Sequence, residues 1–313
     1  MSQQVIKASP RKLAEMKAYY EKGGLASAPP GAVFSTKTEG CHITAYKSGK
    51  VLFQGKNSHK EASRWGSPAA SAKSSGKSSV NNHRYAPPES IDGLPLVGSD
   101  ETGTGDYFGP ITVVAAHLTR DQLESAASLG LRDSKTITDP EIRQTAPKLL
   151  KQCTYSLTVL RNEKYNRLQA EGMNQGRMKA LLHHEAIKNV IAKLKENGEP
   201  FDGVLIDQFV KPDTYFSYLK QSGKRWPDTL PIYFATKAED LHPAVAAGSI
   251  LARYAFLKEM DKLAETLGVT IPKGAGPRVD QAAREIYKSR GKEALYNSVK
   301  WHFSNTDRAV KQL

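Results

Sequence analysis

Gly98-Ser99-Asp100-Glu101-Thr102-Gly103-Thr104-Gly105-Asp106-Tyr107-Phe108-Gly109-Pro110 is the stretch on which the reading turns. Apolar runs of strand length, Leu94 to Ser99 and Ile111 to Leu118, lie on either side of its glycine-rich centre, so a β-hairpin is expected. The first run ends in two carboxylates, Asp100 and Glu101. Neighbours on a regular strand point to opposite faces. Both acids reach one cluster only if the backbone bends there, as the glycines that follow would permit.

Working outward, Thr154 to Leu160 and Phe201 to Asp207 are further strand segments, and Ile232 to Ala235 is a short one. Gly176 to Asn197 places Ala180, Leu181, His184, Ile187, Val190, Ile191 and Leu194 on one helical stripe. An Ala-rich helix is expected from Pro243 to Leu267, with shorter helices at Gly291 to Leu295 and from Asn305. Strands and helices interleave, so the class is α/β with a mixed sheet. Of the paired His183-His184, His184 lies on the apolar stripe as a core residue and His183 is expected in solvent. Lys300-Trp301-His302-Phe303 reads as core and rim.

Asp207 ends one apolar strand, and Glu239 follows another by a short turn. An isolated carboxylate is costly to bury, so acids converging at neighbouring strand ends call for cations between them. Oxygen donors without His or Cys select hard ions such as Mg2+ or Mn2+. Two such ions roughly 4 Å apart hold the attacking and leaving oxygens of a phosphodiester. Spacing alone also leaves each acid open as a turn former or helix cap.

The chain has 313 residues, about twice the roughly 150-residue prior for a domain, and a formal charge of +13. Such an excess points to a polyanion. Ser67 to Pro88 has no apolar period and reads as a flexible linker. Residues 1 to 90 hold 14 Lys or Arg against 5 Asp or Glu, a net +9, leaving +4 of the +13 for residues 91 to 313. The expected division is a domain at 1–66, a linker at 67–90 and a domain at 91–313. In the first, a strand at Gln3 to Lys7 and a helix from Pro10 to Glu21 precede a meander of three strands, closed by a helix at His59 to Trp65. One sheet face could present Lys37, Thr44, Tyr46 and Phe53 to a partner, although Phe53 and Tyr46 are equally read as core. The composition excludes a membrane span, and Cys41 and Cys153 support neither a disulfide framework nor a zinc site. No apolar stretch of signal-peptide length opens the chain, so a cytoplasmic protein is expected.

The segment Gly98 to Pro110 resembles the opening motif of the type 2 ribonucleases H, and its Gly-Thr-Gly form resembles ribonuclease HIII in particular. Leu131-Arg132-Asp133-Ser134-Lys135 is similar to that family's Asp-Ser-Lys segment. Lys237-Ala238-Glu239 and Ala246 to Arg253 resemble its fourth-acid segment and following helix. Tyr46 to Gly55 looks like the hairpin of the family's extra N-terminal domain, an α+β unit similar to one repeat of the TATA-binding-protein fold.

The resemblance implies an RNase H-like catalytic domain and an endonuclease that cuts the RNA strand of RNA/DNA hybrids, leaving 5'-phosphate and 3'-hydroxyl ends. It implies Asp100, Glu101, Asp207 and Glu239 as ligands of Mg2+ or Mn2+. Backbone groups of Gly103, Thr104 and Gly105 would read the 2'-hydroxyl, and Ser134, Lys135, Lys47 and Lys50 would contact the substrate. A monomer is expected. Two alternatives stay open: ribonuclease HII-like incision at single ribonucleotides in duplex DNA, against which Glu239 and Thr104 count, and a noncatalytic hybrid-binding protein.

Overall fold

The computed structural model describes residues 3–21, 25–26, 29, 31–65, 83–126, 131 and 137–310, and statements of absence below concern these. The chain divides into two units, Met1–Ser78 and Ser79–Leu313. Most of the expected linker, including 67–82, lies outside the described residues.

The first unit contains β1 (Gln3–Lys7), α1 (Pro10–Glu21), β2 (Leu25–Ala26), β3 (Ala32–Thr38), β4 (Cys41–Tyr46), β5 (Lys50–Gln54) and α2 (Ser58–Trp65). Its antiparallel sheet runs β1-β5-β4-β3-β2. Leu13, Met16 and Tyr20 of α1 and Ala62 of α2 pack on Ile43, Ala45, Val51 and Phe53. Phe53 is fully buried. It therefore leaves the partner-facing set suggested by the sequence: alternation sends Phe53 to the helix side while Lys50 and Leu52 take the other. Lys37 and Thr44 lie on that other face, because their register partners His42 and Leu52 alternate with Ile43 and Phe53, but only Lys37 is exposed; Thr44 is buried and also leaves the partner-facing set.

The second unit begins with residues counted in the expected linker. The Phe234 N–H donates to the Tyr85 carbonyl at 3.0 Å, and the Tyr85 ring lies 4.9 Å from that of Phe216. His83 reaches Gln208 at 3.1 Å. The linker's C-terminal end is thus anchored to the second unit, because Tyr85 finds an aromatic pocket there.

That unit holds β6 (Leu96–Thr102), β7 (Ile111–His117), α3 (Arg120–Glu124), α4 (Asp139–Gln152), β8 (Thr154–Leu160), α5 (Asn162–Ala170) and α6 (Gln175–Asn197). It continues with β9 (Gly203–Asp207), α7 (Pro212–Gln221), β10 (Ile232–Ala235), α8 (Pro243–Leu267), α9 (Pro277–Tyr296) and α10 (Ser304–Val310). The strand order is β10-β9-β6-β7-β8. β10, β9 and β6 are parallel, whereas β6, β7 and β8 form an antiparallel meander. This is the mixed sheet of the expected RNase H-like class.

Helices cover both faces. α6 lays Met178, Ile187, Val190 and Leu194 on Val97, Val113 and Val204. On the other face α8 and α4 bury Ala246, Leu251, Ala146 and Leu149 against Val114 and Ala116. α8 lies close because its contact positions are small: a β-carbon on Gly98 would stand 2.3 Å from the Val245 nitrogen. The helix can therefore rest directly on β6. No helix among the described residues is long and apolar enough to cross a membrane.

Candidate active site

β6 remains a regular strand through both acids. Asp100 pairs with Val114, Glu101 with Val113 and Thr102 with Thr112. The bend expected at Asp100 and Glu101 is not there, and the chain turns only at Gly103, whose φ is +94°. The two carboxylates therefore leave opposite faces of the sheet. A β-carbon on Gly103 would stand 2.2 Å from the Pro110 carbonyl oxygen, so the turn requires glycine; around Gly105 nothing lies within 4 Å.

Asp100 is buried on the α8 side, where the Glu101 N–H donates to its Oδ1 at 2.6 Å. Burial, followed by the charges of Asp207 and Glu101, pushes its carboxyl up to about 8, against smaller opposing effects of Ser249 and the Glu101 amide. Glu101 lies on the α6 side with different company. The Lys179 ammonium donates to its Oε1 at 2.7 Å, and His183 Nε2 is 2.9 Å from its Oε2. Burial alone would raise the Glu101 carboxyl, but the hydrogen bond and charge of His183 and the Lys179 ammonium hold it below the usual carboxylate range.

His183 is fully buried rather than solvated as its sequence position suggested. Its Nδ1 is 2.7 Å from the Ser99 hydroxyl, and its ring stacks on Phe209 at 4.9 Å. Ser99 and Glu101 are two apart on β6 and share a face, so one imidazole reaches both.

Asp207 ends β9 beside β10, where it pairs with Ala235. The Ala238 N–H donates to its Oδ1 at 2.8 Å. Its carboxyl is pushed up to about 6 by burial and by the charges of Glu239 and Glu101, against the lowering effect of that amide. Glu239 sits in a single 3-10 turn, Ala238–Asp240, entered through Lys237, the one non-glycine with positive φ (60°) among the described residues. That turn aims both the Ala238 amide and Glu239 toward the end of β9.

The structure therefore brings Asp100, Glu101, Asp207 and Glu239 to one end of the sheet, close enough for their charges to act on one another. Among the described residues, no three acidic, His or Cys side chains are already gathered tightly enough to hold a metal ion. Glu101 is turned toward Lys179 and His183, and Asp207 toward the Ala238 amide. The donor set nevertheless fits a hard cation: the four groups are carboxylates, and Asp100 is a buried acid whose neighbours repel its charge.

Beside Glu101 opens a cleft of about 440 Å3, lined by Thr102 to Asp106, Asp139, Ile142, Ser249 and Arg253. Gly103, Thr104 and Gly105 thus form one wall of it. Gln175, at the start of α6, donates to the Thr104 carbonyl at 3.1 Å. Arg253 donates to Asp139 at 3.0 Å, and Lys273 pairs with the same carboxylate. Ser134 and Lys135 lie outside the described residues. Lys47 and Lys50 belong to the first unit, in and beside its Tyr46–Lys50 turn, and both are exposed.

The sequence reading missed Lys179, His183, Gln175, Ser249 and Arg253. Ser249 and Arg253 fall in the segment that carried the resemblance; the other three, on α6, had no signal beyond helical spacing.

A family model described as Ribonuclease HII matches residues 97–306, and one described as a domain of unknown function (DUF3378) matches residues 3–78. The ribonuclease HIII of Bacillus subtilis (strain 168) is 50% identical, the alignment covering 99% of this chain and 98% of the relative. That of Bacillus pumilus (strain SAFR-032) is 49% identical over 100% of both chains. Among solved structures, Bst-RNase HIII in complex with Mn2+ superposes with a TM-score of 0.69 at 40% identity, covering 99% of both chains.

Proposed function

The chain belongs to the ribonuclease HIII family, and from that premise we propose that it hydrolyses the RNA strand of RNA/DNA hybrids at the sheet end carrying Asp100, Glu101, Asp207 and Glu239, leaving 5'-phosphate and 3'-hydroxyl ends. It is a metal-dependent ribonuclease H, an endonuclease working with Mg2+ or Mn2+. The observation that carries the site reading is Asp100, a buried carboxyl raised by Asp207 and Glu101, the latter lining a glycine-walled cleft.

When bound, divalent ions would supply charge neutralisation and an activated water for in-line displacement. Asp100, Asp207, Glu101 and Glu239 would hold them. Asp100 faces both Asp207 and Glu101 electrostatically, which favours it as the shared ligand. Lys179 and His183 fix the Glu101 rotamer from behind, as supporting partners do for ligating carboxylates.

RNA is told from DNA by its 2'-hydroxyl. The open side of Gly105 lets backbone approach a sugar closely, while Gln175 pins the Thr104 carbonyl. All of these groups come from one chain, so a single copy suffices. The basic Met1–Ser78 unit, with Lys47 and Lys50, would grip the hybrid's phosphates.

The test is gel-resolved cleavage, in Mg2+ and in Mn2+, of an end-labelled RNA/DNA hybrid and of duplex DNA containing one ribonucleotide. Cutting at several positions along the RNA strand is expected. Incision only at the lone ribonucleotide would overturn the hybrid assignment, and no cleavage of either duplex would overturn the enzymatic reading.

A further inference from the structure

At the other end of the catalytic sheet, the segment from Ser222 to Pro231 joins α7 to β10 and is folded back on itself. The Trp226 indole N–H donates to the Leu230 carbonyl at 2.9 Å, Leu230 N–H to Pro227 at 3.1 Å, and Lys224 N–H to Leu219 at 2.9 Å. The Trp226 ring meets the His184 ring edge-on at 6.1 Å. These bonds fix Trp226 as a ridge between two concavities.

One, of about 650 Å3, has a floor of Ile187, Ile191, Phe201 and Leu230. The other, of about 1060 Å3, is floored by Tyr85, Phe216, Ile232 and Tyr233. Both share Lys224, Arg225 and Trp226. The pair lies by the beginnings of β9 and β10, whereas the acids follow their ends.

The rim is cationic. Lys188 and Lys195 border the smaller concavity and Arg84 and Lys220 the larger, with Lys224 and Arg225 common to both; among the described residues Asp228 is the only carboxylate lining either. Lys195, Lys220, Lys224 and Arg225 are exposed, and none is ion-paired with a described residue. The catalytic machinery uses none of them.

From this charge pattern we infer that the Trp226 ridge is a docking site for an acidic linear peptide of another protein, one that carries bulky apolar side chains into the concavities on either side. The smaller floor is aliphatic but for Phe201 and the larger is mostly aromatic, and both accept bulky apolar side chains by burial. Unpaired cations at the rim attract carboxylates, setting orientation and association rate. The chain's own segment 67–82 is no complement, since its charged residues are Lys73 and Lys77.

Selection of a displayed library of random peptides, roughly 12 residues long, on the full chain tests this, with counter-selection on a Lys224→Glu/Arg225→Glu variant. Retained peptides should be enriched in Asp or Glu flanking at least two bulky apolar residues, and the charge reversal should weaken a selected peptide about tenfold or more. Hybrid cleavage should be unchanged, which also certifies folding. If that variant fails to fold, Lys188→Glu/Lys195→Glu on α6 takes its place. Enrichment without acidic residues, binding indifferent to both reversals, or no enrichment overturns the proposal. So does a single-stranded thymidine oligonucleotide whose binding the reversal weakens while peptides stay unaffected, an outcome that would mark a nucleic-acid surface.

Discussion

Asp100 concentrates the cost of building this site. Its ionised form is opposed by burial and by two neighbouring acids, so its proton is held from 3.8, the ordinary value, up to about 8. The unfolded chain loses that proton near pH 4 and the folded chain only near pH 8. Stability of the metal-free protein therefore falls as pH rises through this window, since the folded state binds the extra proton. Asp100→Asn removes the liability: thermal unfolding without metal at a pH of about 8 should show a Tm higher by roughly 3 °C or more. The same substitution should abolish cleavage yet leave hybrid binding measurable in a gel shift. An unchanged Tm together with near-normal cleavage would remove Asp100 from the site. At this scale the acids were legible because each closes or follows an apolar strand. Lys179 and His183 were not: they come from a helix about 80 residues away, and helical spacing does not say which side meets β6 next to Glu101.

Between the residue and the molecule stands the clasp on the glycine loop. Lys300 is fully buried, and its ammonium donates to the carbonyls of Asp106 and Gly109, each at 2.7 Å. Its own N–H donates to Tyr107 at 2.8 Å, and the Gly109 N–H donates to Ser298 at 3.0 Å. The segment before α10 thus holds the far side of the loop whose near side walls the cleft. Burial pushes Lys300 down from 10.5 to about 7, against a smaller raising effect of Asp106. Between these values the unfolded chain keeps a proton that the folded chain has released, so this group makes folding more favourable as pH rises. The Tm difference between wild type and Lys300→Met should therefore widen in favour of wild type by about 3 °C or more between pH 7 and pH 9, as followed by circular dichroism. Because the loop would loosen, hybrid cleavage should also fall by about tenfold or more. A pH-independent difference would refute the lowered titration of Lys300, because it would mean that the folded chain keeps this proton. Most strands were legible to within a residue or two, but β6 runs three residues past the expected Ser99, through both acids, and β2 had no signal. α4, with Pro147 inside it, was not expected at all, and α9 was expected only from Gly291, where a φ of +82° does break the helical backbone; the stretch before that break had no signal. An interior Pro reads as a stop in a sequence, while packing carries α4 across Pro147.

For the whole molecule, charge and chemistry are assigned to different parts of the chain. Residues 1–78 contain 13 Lys or Arg against 4 Asp or Glu, a net +9, while the acids that would hold metal are all in the second unit. That asymmetry was legible from composition alone. The point of division was less so: Tyr85 reads as the end of a flexible linker, but its ring and carbonyl are engaged by Phe216 and Phe234. A deletion that tests the division of labour should therefore stop at Ser78, since removing residues 1–88 would also strip an aromatic plug from the catalytic unit. Each phosphate neutralised by a basic side chain releases counterions, and the dependence of log K on log salt steepens by about 0.9 per contact on B-form duplexes. Removing residues 1–78 should flatten the salt dependence of hybrid binding by several such contacts and weaken binding at physiological salt. Cleavage should recover at low salt, where the remaining contacts suffice. In the full chain, Lys47→Glu/Lys50→Glu should move the slope in the same direction without touching the acids. A fluorescence anisotropy titration across salt concentrations distinguishes the outcomes: unchanged slopes in both proteins would mean that the basic unit does not hold the hybrid, and that the second unit, with its far smaller net charge, supplies the grip.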